Sequence, residues 1–155
     1  MVSEPVADPI DPLTGWLDDV LAGLADGVAD CSRDGSGVPD AVLIDRIALL
    51  EKIKAAATAL QMAESVRFTQ SQADAQLAVN VHPDKIGRGV ADQLGLACKI
   101  SGFAAARRLG MSRALWFELP DTYAQLVAGE VSEHIAQTIV SETRHLDADA
   151  RRQVD

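Results

Sequence analysis

The chain has 155 residues and a formal net charge of −9, from 14 Lys+Arg against 23 Asp+Glu. Hydrophobic residues make up 48%, with 25 alanines among them, whereas aromatics are only 4%; alanine is the best helix former and strands draw on β-branched and aromatic residues, so the composition excludes a β-sandwich or barrel and predicts an all-α, multi-helix bundle. Charged residues at 24% exclude a wholly disordered chain, and the acidic total makes the protein taken whole a poor binder of nucleic acid unless its cations cluster.

In chain order, Met1 to Ile10 carries Pro5 and Pro9 and reads as a loose lead-in. Asp11-Pro12 is a helix start, with Asp as N-cap and Pro in the first turn. Leu13, Trp16, Leu17, Val20, Leu21, Leu24 and Val28 follow at spacings of three and four, an amphipathic stripe. Cys31 to Pro39 is a loop by its Gly, Ser and Pro content. Asp40 caps a helix with no Gly or Pro before Pro83. If unbroken from Ala41 to about Val79 it is about 58 Å long; a break at Ser71 or Asp74 is the other reading. Leu43, Ile47, Leu50, Ile53, Ala57, Leu60 and Ala63 form its apolar face, and the part after Met62 is polar and alanine-rich.

His82-Pro83 marks a boundary, because the residue before proline avoids the helical region. A third helix is predicted from about Asp84 to Ile100, and a fourth from Gly102 to Phe117 with Ser101 as cap. A short fifth covers Asp121 to Ala128 and stops at Gly129. A sixth is capped by Ser132, with Ile135, Ile139 and Val140 as its stripe. Asp147 begins a seventh that the sequence cuts off at Asp155 in mid-pattern, so a piece of a longer gene product is expected. The organisation is thus a lead-in, first helix and loop over 1–39 and a helical domain over 40–155, with no repeat of fixed period.

Cys31 and Cys98 lie far apart with no CxxC pattern, which argues against a disulfide framework and for a reducing compartment. No apolar run approaches the roughly 20 residues that span a bilayer. The acidic N-terminus (Glu4, Asp8, Asp11) lacks the basic start of a signal peptide. A cytoplasmic protein without membrane contact is the reading.

The strongest charge asymmetry lies between Lys85 and Arg113. Lys85, Arg88, Lys99, Arg107, Arg108 and Arg113 stand there against the single acid Asp92, so the segment is +5 and the remainder −14. It coincides with two short helices joined by a tight turn, a helix-turn-helix-like hairpin in which Ala91, Leu94 and Gly95 occupy the small, apolar and glycine positions. Arg107, Arg108 and Arg113 lie on the following helix, where a recognition helix would set arginines against phosphates and guanine edges. Set against this, short alanine-rich helix pairs with a central glycine occur in any bundle, arginines on a helix face are usually solvated, and Ser101 starts the second helix later than the usual motif does. Trp116 and Phe117 beside Arg113 would allow base stacking; the simpler reading makes Trp16, Phe103, Trp116, Phe117 and Tyr123 core anchors.

Catalytic constellations are missing from the sequence. There is no HExxH, GxSxG, P-loop or GxGxxG, and hence no cofactor or small-molecule motif. His134 and His145, if on one helix, would lie about 16 Å apart and could not share a metal. Cys98 reads as a small core residue, and His145 with Asp147 as a helix-end pair.

From Ile86 to Asp155 the pieces GRGVADQLGLA, AAARRLGMSRAL, LPDTYAQLVAGEVS and ETRHLDADARRQVD, in this order and spacing, resemble the actinobacterial 13E12 repeat family, also called domain of unknown function 222. The long preceding helix suits that family, so the resemblance extends over most of the chain beyond Asp40. Family members are typically longer, helical in this region, and often end in an HNH nuclease module that cuts DNA with a histidine and a divalent metal. None of the HNH motif stands in this sequence, so the resemblance assigns no catalytic residue here. It implies a non-catalytic DNA-binding or targeting part of a mobile-element-associated nuclease; the charge of the basic segment makes Lys99, Arg107, Arg108 and Arg113 the expected backbone-contacting cations on double-stranded DNA. The alternative is an interaction or dimerisation module in which Leu43, Ile47 and Leu50 of the long helix form a homodimer interface without DNA binding.

Overall fold

The computed structural model describes residues 11–33 and 37–155. The expected lead-in over Met1 to Ile10 and the middle of the loop after Arg33 lie outside them. Among the described residues there are seven α-helices, one 3-10 turn and no strand: α1 (Pro12–Arg33), α2 (Asp40–Ala78), a 3-10 turn (Pro83–Lys85), α3 (Val90–Cys98), α4 (Gly102–Glu118), α5 (Pro120–Val127), α6 (Glu133–Glu142) and α7 (Ala148–Val154). The protein is therefore an all-α multi-helix bundle with one long helix, as the composition requires. Two compact units are distinguished, residues 1–43 and 44–155.

The first unit holds α1. Asp11 opens it, its Oδ2 accepting a hydrogen bond from the Thr14 amide at 3.2 Å, which satisfies one of the first-turn donors. The helix runs through Cys31 to Arg33, so the loop expected from Cys31 begins later: nothing before Gly35 in the sequence stops a helix. Trp16 on the α1 stripe is exposed, which corrects its expected role as a core anchor.

The second unit is built on the long helix. α2 is unbroken over 39 residues, with no interruption at Ser71 or Asp74, and ends where Asn80 takes a left-handed conformation, φ 57°; asparagine tolerates that conformation better than most residues. Of the expected face only its last member, Ala63, is buried. Ala55, Ala59, Met62 and Val66 are buried, whereas Leu43, Ile47, Leu50 and Ile53 are exposed. At about 100° per residue the two sets lie on opposite sides of the helix. Ala55, Ala59 and Met62 form one core cluster with Leu115, Leu119, Leu126 and Ala136 from α4, its C-terminal boundary, α5 and α6.

Small residues and leucines fill this core, and the aromatics stay at its rim. Phe103 is 77% exposed and Phe117 53%; neither anchors the core as expected. Trp116, also partly exposed, packs edge-on against Tyr123, ring centroids 5.2 Å apart. Tyr123 packs against the core cluster, its hydroxyl donating to the Ala59 carbonyl of α2 at 3.0 Å. Burial pushes its phenol above the ordinary tyrosine range, because desolvation disfavours the phenolate.

The region between α2 and α3 differs from the single helix expected from Asp84 to Ile100. Gly87 and Gly89 take φ of 81° and 83°, a left-handed backbone that glycine adopts without cost and that no α-helix contains. Only Pro83–Lys85, as a 3-10 turn, and Val90–Cys98 are helical. Downstream the expected caps are in place. The Ser101, Ser132 and Asp147 side chains accept from the amides of Ala104, Ile135 and Ala150. Gly129 stops α5 with φ 69°.

α7 is fastened by buried polar groups. Arg151, 8% exposed, donates from Nε to the Thr143 carbonyl at 3.0 Å and from a terminal nitrogen to Glu118 of α4. The Asp155 carboxylate accepts from the amides of Asp121 and Thr122 at 2.6 and 3.0 Å, capping the first turn of α5 from the other end of the sequence. No helix among the described residues is long and apolar enough to cross a membrane.

Candidate nucleic-acid interface

The basic segment is held at both ends by specific contacts. At its start, the Gln76 side chain of α2 accepts from the Gly87 amide at 2.6 Å and donates to the Arg88 carbonyl at 3.4 Å, so the end of the long helix clamps the loop that carries Lys85 and Arg88. His82 caps the 3-10 turn, its Nδ1 accepting from the Asp84 amide at 3.3 Å. α3 then packs closely on α4 through two glycines. A Cβ on Gly95 would stand 2.9 Å from the Ile100 carbonyl oxygen, and one on Gly102 would collide with the Asp92 carboxylate. The turn between them closes with the Ile100 amide on the Gly95 carbonyl at 2.9 Å, and Lys99 takes a left-handed conformation, φ 56°. Asp92, the one acid of the segment, lies against the first turn of α4, where the helix dipole favours a negative charge.

Lys99 projects from this turn and is exposed. On α4 the three arginines do not form one row. Successive residues turn about 100°, so Arg107 and Arg113 lie about 120° apart. They edge an open strip that runs along Phe103, Ala106, Gly110 and Phe117, all of which are exposed. Arg108 points elsewhere: it is half-buried and donates to the Gln61 Oε1 of α2 at 3.1 Å. The four residues singled out from the sequence are therefore three free cations around one helix face and a fourth held by a neighbour.

Ion pairing separates this segment from most of the chain. Among the described residues, none of Lys85, Arg88, Lys99, Arg107, Arg108 and Arg113 is paired with a carboxylate, although Asp92 and many other acids are present. Elsewhere Lys52, Lys54, Arg67, Arg151 and Arg152 are each paired, and among the cations whose side chains are described Arg46 and Arg144 share the unpaired condition. The Glu51 carboxylate hydrogen-bonded to Lys54 holds that ammonium above its ordinary range.

Sequence reasoning missed a cleft of about 480 Å³ between α4 and α6, lined by Arg107, Arg108, His134, Gln137, Thr138 and Ser141 among others. The polar positions 134, 137, 138 and 141 recur at helical spacing and would have marked a polar face on α6. That this face is turned toward α4 is a tertiary fact. α6 ends at Glu142, so His134 and His145 do not share one helix. Cys98 is half-buried, its sulfur 3.7 Å from the Gln61 Nε2 that donates to it. Among the described residues no group of three His, Cys, Asp or Glu is arranged to hold a metal. Leu43, Ile47 and Leu50 lie exposed along the first turns of α2.

No protein-family model matches this chain, and no curated protein and no solved structure matches it significantly.

Proposed function

We propose that the chain is a non-catalytic helical DNA-binding or targeting module, with Lys99, Arg107 and Arg113, and Arg108 behind them, contacting the phosphate backbone. The observation that carries this reading is the set of unpaired cations between Lys85 and Arg113. In a chain of net charge −9, carboxylates are abundant, and side chains that leave them aside stay available to an external anion. Local positive charge inside an acidic average also gives orientation, since the rest of the surface repels the phosphates. The hairpin would offer the open strip of α4 to the major groove in the manner of a helix-turn-helix. Likeness of the segments from Ile86 onward to the 13E12 repeat family adds a setting for this role: a cytoplasmic, mobile-element-associated protein of a family whose members often carry an HNH nuclease module.

Fluorescence anisotropy with a mixed-sequence duplex over a range of salt concentrations tests it. With four to five phosphates neutralised, log K is expected to fall against log salt with a slope of about −4. Arg107→Ala and Arg113→Ala should each reduce that slope by about one. Arg152→Ala, which removes a cation already paired with Asp149, should leave it unchanged. Absence of salt-sensitive binding at low salt sinks the proposal.

A second reading has its own observation, the exposure of Leu43, Ile47 and Leu50 at 43%, 60% and 47%. It makes α2 the interface of a homodimer. Light scattering on the same samples separates the two, because this reading requires a concentration-dependent dimer mass without duplex affinity.

A further inference from the structure

We infer that the cleft between α4 and α6 binds a phosphate group carried on a small organic molecule about the size of a nucleoside monophosphate. α4 contributes Ala104, Arg107, Arg108 and Met111, and α6 contributes His134, Gln137, Thr138 and Ser141, with the Glu133 carboxylate also lining the cleft at the start of α6. Both sets follow the spacing i, i+3, i+4, i+7, so each is one face of its helix and the two faces oppose each other. Neighbouring helices ordinarily close such a gap by interdigitating apolar side chains at crystal-like density. α6 does this on its other side, where Ala136 is buried and Ile139 and Val140 pack on the core. Toward α4 it presents polar groups across an open volume of about 480 Å³, a size within the roughly 300–1,000 Å³ range of small-molecule sites.

The chemistry of the walls selects the ligand. Arg108 is fixed in place by Gln61 at 3.1 Å, while Arg107 is left without a partner. Opposite them His134 and Ser141 also have no side-chain partner among the described residues, and the Thr138 hydroxyl donates to the His134 carbonyl at 2.9 Å. The carboxylate in the lining, Glu133, accepts from the Gln137 amide at 3.0 Å and keeps its charge, so the two guanidiniums leave the walls with one net positive charge. Two planar guanidiniums with an imidazole and a hydroxyl offer more donors than a carboxylate can accept, and they match a phosphate, whose oxygens take bidentate arginine bonds. Ile100, Ala104 and Met111 supply an apolar wall for the organic part. The site shares Arg107 and Arg108 with the proposed DNA surface, yet it requires no affinity for duplex.

The same phosphate chemistry could come from a free molecule or from a nucleic-acid strand, and a titration of the full chain followed by amide NMR at constant ionic strength distinguishes them. The probes are inorganic phosphate, adenosine monophosphate and, separately, a short duplex. Adenosine monophosphate is expected to move amides of 104–111 and 133–141 and to saturate with a Kd of about 1 mM or tighter; inorganic phosphate should move the same amides more weakly. Arg107→Gln and His134→Ala, both at exposed positions, should each weaken this binding about tenfold. Arg113→Ala, on the far side of α4, should leave it unchanged while it weakens the duplex. If the nucleotide moves no cleft amide, or if Arg113→Ala weakens it as much as Arg107→Gln, the inference is overturned. Cleft shifts with the duplex alone would overturn it too and leave the DNA reading standing. Nucleotide binding without duplex binding would do the reverse.

Discussion

Gly129→Ala is expected to lower stability by about 2–4 kcal/mol, enough to move the thermal midpoint down by about 4–16 °C in a domain of this size. Two independent costs meet at this residue. Its φ of 69° is left-handed, which charges any L side chain about 1–2 kcal/mol. In addition, an added Cβ would stand 2.7 Å from Lys52 Cβ and 2.9 Å from Lys52 Cα. The second contact is with the backbone of α2, so no rotamer change relieves it; the α5–α6 connection must move away from the long helix. That movement would also loosen the Lys52–Glu130 ion pair at 3.0 Å, though both partners are half-exposed and the pair contributes little. Gly87→Ala isolates the first cost. Gly87 has a similar φ of 81° but nothing within 4 Å of its Cβ, so it should lose only about 1–2 kcal/mol. Chemical denaturation of the two variants measures the difference. Equal losses would mean that the approach of Gly129 to α2 has no energetic weight.

The local signals in the sequence were readable because they depend on a few neighbouring residues. Asp11, Ser101, Ser132 and Asp147 were legible as caps, since an N-cap needs only a side-chain oxygen within three residues of the amide it accepts from. Gly129 was legible as a stop for the same reason. The helix expected over 84–100 failed because Gly87 and Gly89 both turn left-handed; a lone glycine is tolerated in a helix, and nothing local announces that two will reverse the backbone. The buried side of α2 was misread for a different reason. Periodicity gives weight to large residues, so Leu43, Ile47 and Leu50 looked like the core, whereas the core cluster takes Ala55, Ala59 and Met62 from α2. The same bias placed Phe103 and Phe117 inside, although large apolar residues are often left at the surface.

For the candidate site, the charge of 85–113 was legible and its condition was not. What holds a cation can lie far away in sequence, as with Arg108 and the Gln61 amide, 47 positions apart. The cleft was hidden in the same way: the polar row of α6 is visible in the sequence, but its meaning depends on which helix it faces.

Arg151→Met is expected to cost about 2–3 kcal/mol, and Glu118→Ala more than that. The two partners sit in unequal surroundings. The Arg151 side chain is 9% exposed and that of Glu118 33%, so Glu118 can recover water when its partner is removed and Arg151 cannot. Taking away the arginine therefore loses its bonds to Glu118 and to the Thr143 carbonyl, which hold α7 against α4 and the end of α6. Methionine refills much of the volume. Taking away the carboxylate leaves a buried guanidinium with one charge-bearing partner fewer, and breaking a buried pair from that side costs about 3–5 kcal/mol when desolvation is complete. Incomplete burial places Glu118→Ala toward the lower end of that range. In a double-mutant cycle, Arg151→Met combined with Glu118→Ala should be less damaging than the sum of the two by about 1–3 kcal/mol, because neither charge is then stranded. Thermal or urea unfolding of the four proteins provides the comparison. If Arg151→Met proves the more damaging single change, the exposure of Glu118 does not govern the asymmetry. If the two effects simply add, the pair is not what fastens α7, and the Asp155 carboxylate on the first turn of α5 becomes the contact that does.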